Sequence, residues 1–297
     1  MEAKASGVKM ENIVATKMKQ GKTREFEFTE EIFKKVCLLV KSHTGIVLAD
    51  GKQDMVYGRL TRRLRALDLP DFDSYLKIIE QGDEEELIHL VNAITTNLTS
   101  FFREEHHFEY LKSNVFPELL EKNAPTRKIR IWSAGCSTGE EPYSIAITVR
   151  EFFADHPGWD VKIIATDLDS NVVVKAEKGV YDKARVDGVS LEDKQRWMKR
   201  GKGDKSELVK MKAELQELIT FKQLNLLHHW PIKGPIDIIF CRNVVIYFDK
   251  DTQRTLFGRY ADVLSTEGYL FIGHSENMFN VCDRFESLGR TVYQRIT

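Results

Sequence analysis

Apolar positions in the first third of the chain recur at helical spacing. Phe33, Val36, Cys37 and Val40 fall at i, i+3, i+4 and i+7, and Leu87, Leu90, Val91 and Ile94 repeat the pattern. Between them Leu60, Leu64 and Leu67 form a further stripe, and Leu69-Pro70-Asp71 breaks the chain before a short helix at about Tyr75–Ile79. Residues 25–95 are expected to form an all-helical unit with its own small core, preceded by a flexible tail over 1–24. From Thr96 the rhythm changes. A helix over about Glu104–Leu120 and a polar linker lead to short apolar runs that alternate with helical segments. Ile129–Trp132 precedes a helix to about Phe153, Val161–Thr166 a helix over Asn171–Glu177, and Ile236–Phe240 a helix over about Asp249–Leu264, with Tyr269–Ile272 next. That alternation predicts a parallel sheet wrapped by helices, and Arg284–Leu288 and Thr291–Arg295 about Gly289-Arg290 predict a closing hairpin.

One stretch interrupts the rhythm. A short helix (Lys194–Lys199) leads through Gly201-Lys202-Gly203-Asp204 to two apolar-polar stretches, Leu208–Met211 and Leu218–Phe221. These are expected to form a small β insertion at about 190–222. Its role is recognition or the cover of a sheet edge.

Composition narrows the class. At 297 residues, with 42% hydrophobic and 30% charged positions, the chain has room for one large and one small domain. No apolar run approaches the roughly 20 residues that span a bilayer. The first 22 residues hold five lysines and no apolar core of a secretory signal. Four dispersed cysteines predict reduced thiols and a cytoplasmic setting, and a net charge of −1 gives no nucleic-acid signature.

The chemistry concentrates at strand ends. In Ile131-Trp132-Ser133-Ala134-Gly135-Cys136-Ser137-Thr138-Gly139-Glu140-Glu141, an apolar run ends in a glycine loop and a helix with an acidic first turn. Loop amides over a strand end suit a nucleotide-like ligand, and Gly135 is placed for close backbone approach. Glu140 and Glu141 would repel a phosphate and suit a ligand with a positive amino group. S-adenosylmethionine fits that description. Asp167, at the next strand's end, is placed to accept hydrogen bonds from a ribose diol, against the alternative of a surface turn aspartate. In Phe240-Cys241-Arg242-Asn243-Val244-Val245-Ile246-Tyr247, Arg242 and Asn243 again sit at the sheet's upper edge. Tyr247 either points its hydroxyl toward the reacting centre or packs in the core; spacing leaves both open. Thr95–Glu104 reads as a capping segment that carries two aromatics and Arg103. His106-His107 and His228-His229 lack ligand spacing, and no metal site is expected.

Four strings together resemble the chemotaxis receptor methyltransferase (CheR) family. They are Asn-Leu-Thr-x-Phe-Phe-Arg-Glu from Asn97, Ser-Thr-Gly-Glu-Glu-Pro-Tyr-Ser from Ser137, Cys-Arg-Asn-Val-x-Ile-Tyr-Phe from Cys241 and Gly-His-Ser-Glu-Asn from Gly273. The similarity runs from about Phe28 to Val292. It implies a Rossmann-like S-adenosylmethionine-dependent methyltransferase domain over 96–297 behind a helical receptor-docking domain. It further implies that Asn97, Thr99 and Arg103 reach over the cofactor, that Glu141 lies at its methionyl end and that Asp167 holds the ribose. Asn225 and Leu226 would border the adenine, with Arg242 and Asn243 completing the pocket. Arg103 and Tyr247 would orient the methyl acceptor.

The activity so implied is methyl transfer from S-adenosylmethionine to glutamate carboxylates of chemoreceptor cytoplasmic helices, with S-adenosylhomocysteine released. The acceptor is already ionised at neutral pH, so no general base is needed. Arg59, Arg62 and Arg63, at i, i+3 and i+4 on one helix, are either a solvated basic face or the dock for acidic methylation helices, which the resemblance favours. In some family members the β insertion binds a receptor C-terminal peptide by strand addition. A monomer without membrane insertion, cytoplasmic and recruited to membrane receptors, is expected. The alternative from another class is a receptor adaptor that binds cofactor without turnover. A nicotinamide dehydrogenase would need a different glycine pattern, and a nucleic-acid amino-methyltransferase an Asn-Pro-Pro-aromatic loop.

Overall fold

The computed structural model describes residues 24–232 and 234–296. The expected tail lies outside them except for Arg24, which pairs with Asp54 at 2.6 Å and sits over the Tyr57 ring.

Four helices open the described chain: α1 (Glu30–Thr44), α2 (Gln53–Ala66), α3 (Phe72–Glu80) and α4 (Glu84–Ile94). Their starts are fixed locally. Thr29, Asp71 and Asp83 each accept a first-turn backbone N–H, and acidic residues follow each cap. Gly45 ends α1 at φ 73°, where any side chain would strain the backbone and strike Leu227. The apolar stripes read from the sequence meet in one core, with Val36, Val56, Leu60, Leu64, Phe72, Tyr75 and Leu90 fully shielded from solvent.

The helix expected near 104–120 is broken in the middle. It runs as α5 (His106–Tyr110), a wide π turn over Leu111–Val115, and α6 (Phe116–Lys122). Pro117, the second residue of α6, has no N–H to give, and this interrupts the regular ladder there.

Ten strands and five further α-helices make up the rest of the described chain. They are β1 (Lys128–Ala134), α7 (Glu140–Phe152), β2 (Asp160–Asp167), α8 (Ser170–Lys178), β3 (Val180–Asp182), α9 (Leu191–Trp197), β4 (Met198–Arg200), β5 (Leu208–Met211), α10 (Ala213–Gln216), β6 (Ile219–Gln223), β7 (Ile236–Cys241), α11 (Lys250–Val263), β8 (Leu264–Ile272), β9 (Phe285–Gly289) and β10 (Val292–Arg295). Seven strands form the main sheet in the order β6-β2-β1-β7-β8-β10-β9. The first five are parallel, and β10 pairs antiparallel with both β8 and β9. Along β8, Tyr269 and Phe271 enter the core on one face of the sheet, and Leu270 and Ile272 the core on the other. Both faces are covered, as parallel strands require. The chain winds outward in opposite directions from β1 and β7, so the crevice above their carboxyl ends is the ligand site expected of such a sheet.

The insertion differs from the reading at 190–222. Its sheet is β3-β5-β4, antiparallel, and so runs from Val180 to Met211. The second stretch, Leu218–Phe221, belongs instead to the main sheet, where β6 pairs parallel with β2. An edge strand with one covered face has the same apolar-polar alternation as a strand of a small two-faced sheet, so periodicity could not assign it.

Candidate functional site

Above β1 and β7 lies a cavity of about 370 Å³, a size usual for a small-molecule site. Asn97, Thr99, Arg103, Gly135, Glu141, Asp167, Asn225, Leu226, Arg242 and Asn243 all line it, and so does Tyr247. Residues separated by nearly 150 positions in sequence are thus neighbours on one wall or another.

The floor is built from strand ends. The loop after β1 places Gly135 at φ 93° and Ser137 in the left-handed region at φ 49°. Ser137 is held there by its N–H, which donates to a carboxylate oxygen of Asp167 at 2.8 Å, and Asp167 also receives the Asp169 N–H at 3.0 Å. Burial pushes the Asp167 carboxyl up to about 6 despite these donors. The Ser137 hydroxyl is buried and has no hydrogen-bond partner among the described residues.

The two acidic residues that open α7 part company. Glu140 is fully buried, does not line the cavity, accepts from the Thr138 hydroxyl at 2.6 Å and pairs with Arg185. Glu141 does line it, accepting from the Ser133 hydroxyl at 2.7 Å and from the Arg242 guanidinium at 3.2 Å. Burial raises the Glu141 carboxyl, against the pull of Arg242 and Ser133.

Arg242 is nearly inaccessible and heavily shared. It touches Glu141, lies 3.3 Å from Glu104, donates to the Arg103 carbonyl and packs over the Phe108 ring. Burial alone would raise the Glu104 carboxyl, but the His274 hydrogen bond and the Arg242 charge outweigh it and hold it at about 2. Arg242 therefore has two carboxylate partners, and the cavity floor has no cation left for a phosphate.

The remaining walls are tied down by hydrogen bonds. Asn97 donates to Asp169 at 2.8 Å, fastening its segment to the end of β2, and Arg103 donates to the Leu98 carbonyl at 2.8 Å. Asn225 donates to the His43 carbonyl at 2.7 Å, and Leu226 sits buried beside it. Asn243 takes a left-handed conformation at φ 59°, which asparagine tolerates.

Two features had escaped sequence reasoning. The α1–α2 connection, with Ile46, Val47, Leu48, Ala49 and Lys52, also lines the cavity, joined to the opposite wall by the Val47 N–H to the Tyr247 carbonyl at 2.8 Å. Glu276, from the Gly-His-Ser-Glu-Asn string, is buried and braces the Arg242–Tyr247 loop. It accepts the N–H groups of Gly273 at 2.6 Å, Asn243 at 2.9 Å and Ile246 at 3.2 Å. An acidic residue within a short polar string was the available signal for it.

The arginine trio of α2 divides by its contacts. Arg59 donates to the carbonyls of Ala93, Ile94 and Thr95 that α4 leaves unpaired at its end. Arg63 forms a bidentate pair with buried Glu86 at 2.6 and 2.5 Å. Both lie on the α2 face that packs on α4, and only Arg62 stands exposed with no such contact. Arg65 pairs with Glu25.

His107 is buried, with Nε2 3.0 Å from the Arg290 carbonyl, and burial keeps its ring neutral by lowering its pKa to about 3. Glu104, His106 and His107 bring three potential ligand atoms within 4.8 Å of one another. Glu104 is already spent on Arg242 and His274. Among the described residues no helix is long and apolar enough to cross a membrane.

The lining fits S-adenosylmethionine. Carboxylates at Glu141 and Asp167 suit an amino group and a ribose diol, Leu224 and Leu226 offer an apolar wall for a base, and the unpartnered Ser137 hydroxyl can be satisfied by a polar ligand.

Comparison with known proteins points the same way. Residues 31–95 match the CheR methyltransferase all-alpha domain, and residues 97–294 the CheR methyltransferase SAM-binding domain. A chemotaxis protein methyltransferase of Salmonella typhimurium is 44% identical over 276 residues, covering 91% of this chain and 92% of the relative. One from Escherichia coli is 42% identical over 274 residues (91% and 93% covered), and chemotaxis protein methyltransferase 2 of Pseudomonas aeruginosa is 44% identical over 273 residues (91% and 95% covered).

Proposed function

The chain belongs to the CheR family of chemotaxis protein methyltransferases with an S-adenosylmethionine-binding domain, and from that premise we propose that it methylates glutamate side chains on chemoreceptor cytoplasmic helices. The observation that carries this reading is the cavity floor. Arg242, its one buried cation among the described residues, is matched by Glu104 and Glu141, so the floor favours a cationic ligand end over a phosphate.

S-adenosylmethionine supplies an electrophilic methyl group on a sulfonium, and the glutamate carboxylate displaces it to give a methyl ester. The protein's part is placement and dehydration. Carboxylate and sulfonium become ester and thioether, so charge is lost along the reaction, and removing water from the acceptor accelerates it. Any strong ion pair to the acceptor would stabilise the ground state more than the transition state. Arg103, half-buried and already bonded to the Leu98 carbonyl, is suited to orient the acceptor without neutralising it fully. Tyr247, in the same wall, is the second orienting group. Asp167 receives the ribose hydroxyls, Glu141 the amino-acid end, and Asn225 and Leu226 flank the base. Arg103→Ala should lower turnover without adding an ionisation to the acceptor pH profile; a new ionisation would refute the orienting role.

Residues 25–95 are the receptor-docking domain on this reading, with Arg62 the exposed contact for acidic receptor helices. Enzyme working at membrane receptors from the cytoplasm follows from that substrate. The test is to incubate the protein with methyl-labelled S-adenosylmethionine and a receptor cytoplasmic fragment, then treat the product with base. Label released as methanol supports a glutamate ester, base-stable label overturns the acceptor, and cofactor binding without any transfer favours the adaptor.

A further inference from the structure

We propose that Arg185 and Tyr181, both carried by the β insertion, are positioning residues for the cofactor loop, so that the insertion is a working part of the methyl-donor site. The inference rests on reading the loop from Gly135 to Gly139 as that donor site.

The loop is gripped from two sides. On the cavity side the Ser137 N–H is held by Asp167, and the Gly135 and Cys136 N–H groups by the Thr166 carbonyl, at 2.8–2.9 Å. On the far side two side chains of the insertion hold the loop, beside contacts from α7 and α8. The Tyr181 hydroxyl, at the centre of β3, donates to the Thr138 carbonyl at 2.8 Å. Arg185, in the short turn after β3, pairs with Glu140 and reaches the Thr138 hydroxyl at 3.4 Å. The fit is close: at Gly139, with φ 98°, an added Cβ would stand 2.7 Å from the Tyr181 hydroxyl oxygen. The Tyr181 ring also meets Phe101 edge-on at 5.1 Å, and Phe101 lies in the segment that carries Asn97, Thr99 and Arg103. Two walls of the cavity thus lean on one tyrosine.

Glu140 gives this contact its force. It is fully buried beside Glu141, and Arg185 is its one ion-pair partner among the described residues. A buried carboxylate that loses its cation is costly and must protonate or move. Any movement displaces the first turn of α7, which also carries Glu141 into the cavity. Arg185 therefore holds one of two adjacent carboxylates toward the insertion, while the other lines the cavity. The coupling is reciprocal: a ligand that favours the gripped loop must also favour the ordered insertion.

The test is calorimetric titration of S-adenosylhomocysteine into the full-length chain, with melting temperature measured beside it. Arg185→Met should weaken binding on the order of 10-fold, within the range of coupling between sites. Adding Glu140→Gln to it removes the stranded charge and should recover most of the loss. Tyr181→Phe, which keeps the ring, should weaken binding several-fold. A merely structural role would lower the melting temperature of these variants and leave the affinity of the folded protein unchanged. Ligand should also slow hydrogen exchange over residues 180–186. Unchanged affinity in Arg185→Met, or a loss that Glu140→Gln fails to repair, overturns the proposal. Should Arg185→Met not fold, unchanged affinity in Tyr181→Phe overturns it alone. Failure of wild-type protein to bind the ligand would instead defeat the reading of the donor site.

Discussion

Glu276→Gln tests whether the Gly-His-Ser-Glu-Asn string is there to shape the cavity wall. One carboxylate oxygen of Glu276 accepts two N–H groups, from Gly273 and Asn243, and the other accepts one from Ile246. Glutamine can keep its oxygen on the shared side and so retain two of the three bonds. Its amide then sets N–H against the Ile246 N–H, leaving a buried donor without an acceptor. A lost charge-assisted hydrogen bond of this kind costs about 1.5–3 kcal/mol. For a chain of this size that is a fall of about 2–5 °C in melting temperature. Asn243 and Ile246 line the cavity, so affinity for S-adenosylhomocysteine should drop as well. Differential scanning calorimetry and ligand titration read the two effects, with Ser275→Ala, an exposed neighbour, as control. If Glu276→Gln melts within a degree of wild type and binds ligand equally well, the brace is not what the geometry says it is.

Asp167 predicts opposing pH effects. Burial raises its carboxyl to about 6 from an unfolded value of about 3.9, so between those values the folded chain holds the extra proton and its stability falls as pH rises, by roughly 3 kcal/mol in all. Urea titrations of ligand-free Asp167→Asn should lose that slope, while wild-type affinity for S-adenosylhomocysteine should climb through pH 6 as the carboxylate ionises to accept ribose hydroxyls; a flat affinity profile argues against the ribose role. Arg63→Ala strands buried Glu86 and should cost about 2–3 kcal/mol in urea unfolding, the lower range because Arg63 is partly exposed. Arg62→Glu should leave stability unchanged and raise KM for a receptor fragment; an unaltered KM removes Arg62 from the docking surface. Ser137→Gly relieves a left-handed serine and removes an unpartnered buried hydroxyl, so the ligand-free protein should gain about 0.5–1 kcal/mol, and a loss in calorimetry would show the hydroxyl to be satisfied in the native state.

The helical and α/β pattern was legible because long amphipathic helices and doubly covered strands each repeat one period over many residues. The strands of the insertion are three or four residues long, and at that length apolar alternation cannot say which sheet a strand joins. Motif residues at strand ends were legible for the same topological reason: a parallel sheet brings loops from distant sequence to one edge. The arginines of α2 show the limit. Spacing puts Arg59 and Arg63 on one face, but only the docking of α4 decides that this face is covered. Glu276 was invisible as a brace because two of its three partners are backbone amides 30 and more positions away, and an amide leaves no mark in a sequence.

On the proposed function, docking and catalysis would share one frame. The helical unit is fastened around the cavity mouth by the Ile46–Phe248 bridge, the Lys41–Asp249 pair at 2.9 Å and the Asn225 bond to the His43 carbonyl. Met55, in the first turn of α2, lines the cavity itself. Arg62 stands seven residues further along the same helix, about 10 Å at the helical rise. If the proposed docking holds, an acidic helix held at Arg62 would meet the mouth within about two turns of its own length, and α2 would set the offset between that contact and the methylated carboxylate. Moving that contact one turn along α2, by Arg62→Ala with Ala66→Arg, should change which glutamate is methylated more than how fast, and an unchanged site preference in peptide mapping would separate docking from register.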